Sequence, residues 1–225
     1  PGKTSLFPPN MELLRRFPNP VRFETVRSIA LPAQRVRTLE ETVTGADFLK
    51  LDTQGSELSI LRGGEKLMKG ILGLKVEVEF LELYCGQPLF ADVDAFLRRQ
   101  GFELVDLRRV FWKRAEFCAF PGKGQLVFGD ALYFKSADTV LDKDKALKFA
   151  AICLLYGMRD WFAKIALILA FAAPAAAQIL IPGVSLQGRN MAYASLFMLM
   201  VPIALYAIRL VPPRAVVAEP GIGWR

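Results

Sequence analysis

Lys50, Asp52, Gln54 and Glu57 fall within DFLKLDTQGSEL (residues 47–58) and bring a cation, two carboxylates and a primary amide to one short stretch. An apolar run leads into them, Gly55 permits a tight turn, and the chain restarts with an acid. Groups of these types can orient a ligand hydroxyl, take its proton, or contact an anion. The chain has no histidine. That removes the commonest general base and the commonest neutral metal ligand, so acid–base chemistry has to use Asp, Glu, Lys, Tyr or Cys. Asp52 either faces a ligand or serves as a turn residue or cap. Glu57 either lines a pocket or sits in the first turn of a helix, where an acid is favoured. Lys50 either acts on a ligand or is a structural ion-pair lysine.

Further on, Glu77 and Glu79 alternate in KVEVEF, and Tyr84, Gly86 and Gln87 follow in YCGQP. Glu79, nearer the end of its segment, is the candidate of the two acids. Together with Asp52 these acids could hold a divalent ion, or they form a polar sheet face covered by a basic helix; no ligand spacing decides for a metal. Tyr84 and Gln87 are candidate ligand contacts, although Tyr84 can equally be a packed ring with a wet hydroxyl. Phe111-Trp112-Lys113-Arg114 reads as a lipid-facing or sugar-stacking loop, or as a solvated basic turn with one buried aromatic.

The elements that must position these residues follow from periodicity. A short helix is expected over Met11–Arg16 in a proline-rich start, and Val21–Ile29 and Gln34–Thr38 alternate like edge strands. Asp47–Leu51 and Leu72–Leu81 read as apolar strands, and Ser56–Gly70 as a helix weakened at Gly63-Gly64. Leu89–Gln100 is a helix with Phe90, Val93, Phe96 and Leu97 on one face; Phe102–Leu107 and Ala131–Lys135 are further strands, with Arg108–Gly129 a loop or ragged hairpin. Strands alternating with helices at this spacing predict an α/β fold with parallel pairing. Ligands in such folds bind beyond the carboxyl ends of the strands. Lys50 and Asp52 then point to one side, with Asp52 at the crevice and Ser56 placed to cap the next helix.

From Leu141 the composition changes. Asp142–Tyr156 is an amphipathic helix, and the segments 165–184 and 191–211 are each about 20 apolar residues, the length that spans a bilayer core. A hydrophobic helical hairpin over 161–214, with a short linker at 141–160 and a tail at 215–225, is expected either to cross a membrane or to pack as a helical appendage. Flanking arginines and lysines put both ends in the cytoplasm if it crosses, with soluble cytoplasmic as the other localisation. Cys85, Cys118 and Cys153 form no CxxC pair, so neither a zinc site nor a disulfide framework is indicated; reduced, mostly core-filling thiols are expected. The basic excess of +7 is spread along the chain without a run of like charges, which argues against a nucleic-acid partner. Pro1–Asn10 lacks the basic-then-apolar order of a signal peptide.

DFLKLDTQGSELSILRGGEKLM, then LKVEVEFLELYCGQPLFADVDAFLRRQGFELVDL and GDALYFK, resemble FkbM-type S-adenosylmethionine-dependent methyltransferases, from about residue 4 to about residue 156. The K-x-D-x-Q-G-x-E cluster with Y-x-G-Q-P downstream carries the likeness. The resemblance implies a Rossmann-like class I methyltransferase sheet, present in part, with DFLKLD and KVEVEF as its fourth and fifth strands and DALYFK as an antiparallel strand inserted into the sheet. It implies S-adenosyl-L-methionine as cofactor and a small-molecule or glycan hydroxyl as acceptor, on a sugar, a glycolipid or a secondary metabolite. It also implies roles: Asp52 orients or deprotonates the acceptor, Lys50 holds Asp52 ionised or contacts an anionic substrate, and Gln54, Glu57, Glu79, Tyr84 and Gln87 line the acceptor pocket. The family's glycine-rich turn after its first strand, and the ribose-binding acid after its second, have no counterpart before residue 47. A truncated sequence is the expected explanation. The alternative is a non-catalytic membrane-associated protein carrying a relic half-domain.

Overall fold

A computed structural model describes residues 4–30, 37–139 and 142–177, with side chains through residue 169. The chain divides into compact units at Pro1–Ile152 and Cys153–Arg225.

The first unit is built on four strands, β1 (Phe48–Leu51), β2 (Gly73–Glu79), β3 (Phe102–Trp112) and β4 (Gln125–Lys135). They lie in the order β1-β2-β4-β3. β1 and β2 are parallel, while β4 runs antiparallel to both of its neighbours. β4 is therefore the inserted antiparallel strand that the resemblance implies. β2 alternates cleanly: Leu74, Val76 and Val78 are fully buried in the main core, and Lys75, Glu77 and Glu79 point to the other face. Each of those three aliphatic side chains contributes about 1.5–3 kcal/mol by leaving water.

The core face is covered by α3 (Glu57–Arg62), α4 (Glu65–Met68) and α5 (Phe90–Arg99). α5 inserts Val93, Phe96 and Leu97 at the expected helical spacing, and Asp94 Oδ1 accepts a 3.1 Å hydrogen bond from the buried Tyr133 hydroxyl. The Gly63-Gly64 pair does more than weaken a helix. It separates α3 from α4 and makes room for α2 (Leu39–Thr42). A Cβ on Gly64 would stand 2.9 Å from Leu39 Cδ2. α2 begins with a reciprocal cap, Glu41 N–H donating to Thr38 Oγ1 and Thr38 N–H to Glu41 Oε2.

Ahead of the sheet, α1 (Met11–Leu14) leads into a second apolar cluster. Leu14, Phe17 and Phe23 pack there with Leu83, Tyr84 and Val127. The strand expected over Val21–Ile29 does not form. Pro20 opens a 3-10 turn, Pro20–Phe23, after a left-handed Asn19, because proline fixes φ for a helical first turn and gives no ladder donor. Phe23 then turns inward against Tyr84 and Trp112. Of the strand expected over Gln34–Thr38 only Arg37 and Thr38 are described, and Thr38 caps α2.

The third and fourth strands are longer than periodicity predicts. Arg108–Trp112 and Gln125–Gly129 extend the pair into a hairpin, and shifts in register between Leu104 and Asp106 and between Val110 and Phe111 interrupt the alternation that would have revealed it. α6 (Lys143–Leu155) is tied at its start to the entry of β1: Lys145 and Lys148 both reach Asp47, at 2.6 and 2.7 Å. Phe149 meets Phe134 edge-on.

In the second unit α7 covers Arg159–Ala177; the rest of the hairpin expected over 161–214, and the tail, lie outside the described residues. Among the described residues no helix is long and apolar enough to cross a membrane. The transmembrane expectation therefore finds no support among the described residues. The thiols also depart from expectation: Cys153 is buried, but Cys85 and Cys118 are exposed, since both lie in loops rather than on a core-facing periodicity.

Candidate functional site

β1 delivers its last residues to the carboxyl edge of the sheet, and the chain then reverses in Thr53-Gln54-Gly55. Gln54 is in the left-handed region at φ 55° and Gly55 at φ 103°. A non-glycine residue in that region costs about 1–2 kcal/mol, so something must hold it. Glu57 does so. Its Oε1 accepts from the Thr53 N–H and from Thr53 Oγ1 at 3.0 Å, and its Oε2 accepts from the Gly55 N–H at 2.9 Å. Ser5 Oγ donates to the Gln54 carbonyl at 2.7 Å from the other side. Ser56, expected to cap α3, instead donates to the Thr53 carbonyl at 3.1 Å, and its side chain makes no cap hydrogen bond.

The turn presents the Gln54 amide as a hub. Its Nε2 donates to Asp52 Oδ1 at 3.1 Å and to Glu77 Oε2 at 2.7 Å, and its Oε1 accepts from the Tyr84 hydroxyl at 3.0 Å. The β1–β2 register, Leu51 beside Val76, brings Glu77 next to Asp52. Lys50 stands beside Asp52 with Nζ 3.6 Å from Oδ2, both side chains about half exposed. Burial raises the Asp52 carboxyl, but its hydrogen bonding, the Gln54 amide donating to it, and the Lys50 charge outweigh it, leaving Asp52 below the ordinary carboxylate range. Burial, followed by the charges of Glu77, Glu79 and Glu57, pushes the Tyr84 hydroxyl up to about 12. At neutral pH, Asp52 is an anion and Tyr84 a donor.

Gln87 closes the group. Its Oε1 accepts from the Tyr84 N–H at 2.8 Å. That fixes which way the amide faces, because a backbone N–H needs the oxygen. Nε2 then points away, buried and without a hydrogen-bond partner. A Cβ on Gly55 would come within 3.2 Å of Gln87 Cβ, so the turn and the Gln87 loop are in contact.

Asp52, Gln54, Tyr84 and Gln87 are thus brought into one network, with Lys50 at its rim. Glu57 is 2% exposed, with its carboxylate committed to the turn. Glu79 is buried near Tyr84. Sequence reasoning preferred Glu79 to Glu77, yet Glu77 sits inside the network; the adjacent pairing of the two strands was the signal that could have decided between them. Ser5 and Thr53 were also missed, and their roles are visible only in three dimensions. Among the described residues no group of three or more acids, thiols or histidines could hold a metal ion.

The polar network lies at the carboxyl edge of the parallel pair, the edge at which open α/β sheets generally bind their ligands. Residues 6–104 match the methyltransferase FkbM domain. The match supports a methyltransferase. It ends inside β3, short of the inserted strand. Neither the curated proteins nor the solved structures yield a match to this chain.

Proposed function

We propose that the Asp52 network is the acceptor side of an S-adenosylmethionine-dependent methyltransferase that methylates a hydroxyl on a sugar, glycolipid or secondary metabolite. The observation that carries this reading is the Gln87 amide, a buried donor with no partner, in a loop that packs on the turn following Asp52 in a family-matched domain. A buried polar group left unsatisfied costs about 1–3 kcal/mol, and an acceptor oxygen would relieve it.

In this reading Asp52 receives the acceptor hydroxyl and orients its oxygen. Its lowered pKa favours orientation over deprotonation, since an effective base titrates near the working pH. Gln54 holds Asp52 in place, Tyr84 holds Gln54, and Lys50 keeps Asp52 ionised or meets an anionic substituent. Glu57 acts through the turn, and Glu79 borders the Tyr84 ring. S-adenosylmethionine supplies an electrophilic methyl group. Among the described residues ahead of β1 there is no strand with a glycine-rich turn and no acid after a second strand, the elements that would cradle the cofactor.

The test is transfer of a tritiated methyl group from S-adenosylmethionine to a panel of hydroxyl acceptors, using the protein as its gene encodes it. Asp52→Asn is expected to lose about a hundredfold or more in rate, the range of a positioned acid–base or charged group. Transfer at the wild-type rate would remove Asp52 from the mechanism.

A further inference from the structure

We propose that the tip of the β3–β4 hairpin, residues 113–124, is a docking surface for an anionic phospholipid bilayer. This does not rest on the methyl-transfer reading.

The hairpin overhangs the sheet. β2 ends at Glu79 opposite Phe128, while β4 pairs with β3 as far as Gln125, three residues further; at about 3.3 Å per residue that is roughly 10 Å. The overhang is propped rather than loose. Arg16 O accepts from the Ala115 N–H at 3.0 Å, Trp112 stacks edge-on against Phe17 and Phe128, and Lys113 Nζ closes the loop onto the Phe120 carbonyl.

What the tip presents is apolar and cationic. Phe117 and Phe120 are 53% and 64% exposed, although buried aromatic area is the main gain a phenylalanine has to offer. Lys113, Arg114 and Lys123 surround them, against a single acid, Glu116. The cations meet carbonyls, the Gln125 amide and ring faces rather than carboxylates. With Phe117, Phe120 and Pro121 they line an open cleft of about 270 Å³, wide enough for a phosphate headgroup. Exposed rings surrounded by cations that meet no carboxylate among the described residues match the interface of an anionic bilayer, where rings enter the acyl boundary and cations meet headgroups. Phe117 and Phe120 pack edge-to-face on each other at 5.8 Å and 76°. That makes a compact knob suited to insertion, rather than open platforms for base stacking.

The experiment uses the full chain with Cys85→Ser, so that an environment-sensitive fluorophore attaches at Cys118 in the tip; Cys153 is buried. Vesicles of phosphatidylcholine with about a third phosphatidylglycerol are expected to blue-shift the probe and to cosediment with the protein. Pure phosphatidylcholine should do neither. Phe117→Ser with Phe120→Ser, and separately Lys123→Glu, are each expected to weaken binding about tenfold or more, with circular dichroism unchanged because all three positions are exposed. Binding to vesicles without a spectral shift at Cys118 would mean another segment carries it and would overturn the proposal. So would equal affinity for the two vesicle types, or an RNA oligomer shifting the probe where vesicles do not.

Discussion

Replacing Glu57 by glutamine separates a carboxylate that builds the turn from one that meets a ligand. The side chain keeps its shape, yet one of its two acceptor oxygens becomes a donor. If Oε1 stays with Thr53, the new amide group faces the Gly55 N–H across what was a 2.9 Å hydrogen bond, and two donors oppose each other in a buried site. The orphaned N–H costs about 1–3 kcal/mol, and the bonds to Thr53 lose charge assistance worth roughly another 1 kcal/mol between them. The expected loss is therefore about 2–4 kcal/mol, partly offset as Gln54 leaves its left-handed conformation. Urea denaturation read by circular dichroism measures it, and a fall in melting temperature of roughly 5–15 °C should accompany it. Once Gln54 relaxes, its amide no longer holds Asp52 and Glu77, so activity falls with stability. A stability loss below about 0.5 kcal/mol, the range of an ordinary surface change, would refute the argument, all the more if acceptor binding collapsed at the same time.

Four further outcomes follow from the same geometry. Leu74→Ala, in the middle of β2 and fully buried, should cost about 2–5 kcal/mol as transfer and cavity terms add, measured by the same denaturation. Gly73→Ala should destabilise unless Phe134 yields, since the new Cβ would lie 2.8 Å from its ring; a neutral result in a melting scan would show that the ring moves freely. Asp47 is held below the ordinary carboxylate range by its hydrogen bonds to Lys145 and Lys148. The stabilisation it gives is full above the unfolded value near 3.9 and disappears as pH falls through the lower folded value. The melting difference between wild type and Asp47→Asn should close in that acid window and stay constant above it. Burial first, with Asp160 adding to it, pushes the Cys153 thiol up to about 12, so Ellman's reagent at pH 8 should titrate two thiols in the native protein and the third only after unfolding.

How far the sequence reveals the fold depends on whether a segment's pattern is its own or imposed by contact. β2 and α5 are legible because one face of each is buried and the other is not, which writes a period of two or of about 3.6 into the residues. The parallel pairing of β1 with β2 follows from the helical connection between them. The insertion of β4 has no local signal; only resemblance to a family supplies it. The long hairpin escaped because its outer half meets one partner strand and no helix, and its register shifts break the alternation. The stretch Val21–Ile29 misled for the opposite reason. It alternates, but Pro20 and the aromatic cluster around Trp112 decide its path.

In the site, spacing located Lys50 beside Asp52, since residues two apart on a strand share a side, but spacing cannot say which acid is spent on structure. Glu57 and Asp52 look alike in the sequence. The turn distinguishes them: one carboxylate lies inside it with Thr53 and Gly55 donating to its oxygens, and the other stands outside it with a lysine at its rim. Glu77 and Glu79 pose the same problem. Glu79 is nearer the end of its strand, and yet Glu77 meets Gln54, because β1 stops at Leu51 opposite Val76 and the turn folds back over the next position. Reaching Gln54 as the centre of the network required knowing that its backbone adopts a left-handed conformation. The glycine that follows makes the turn possible, the Glu57 clamp holds it, and through that turn a buried acid controls where the exposed one points.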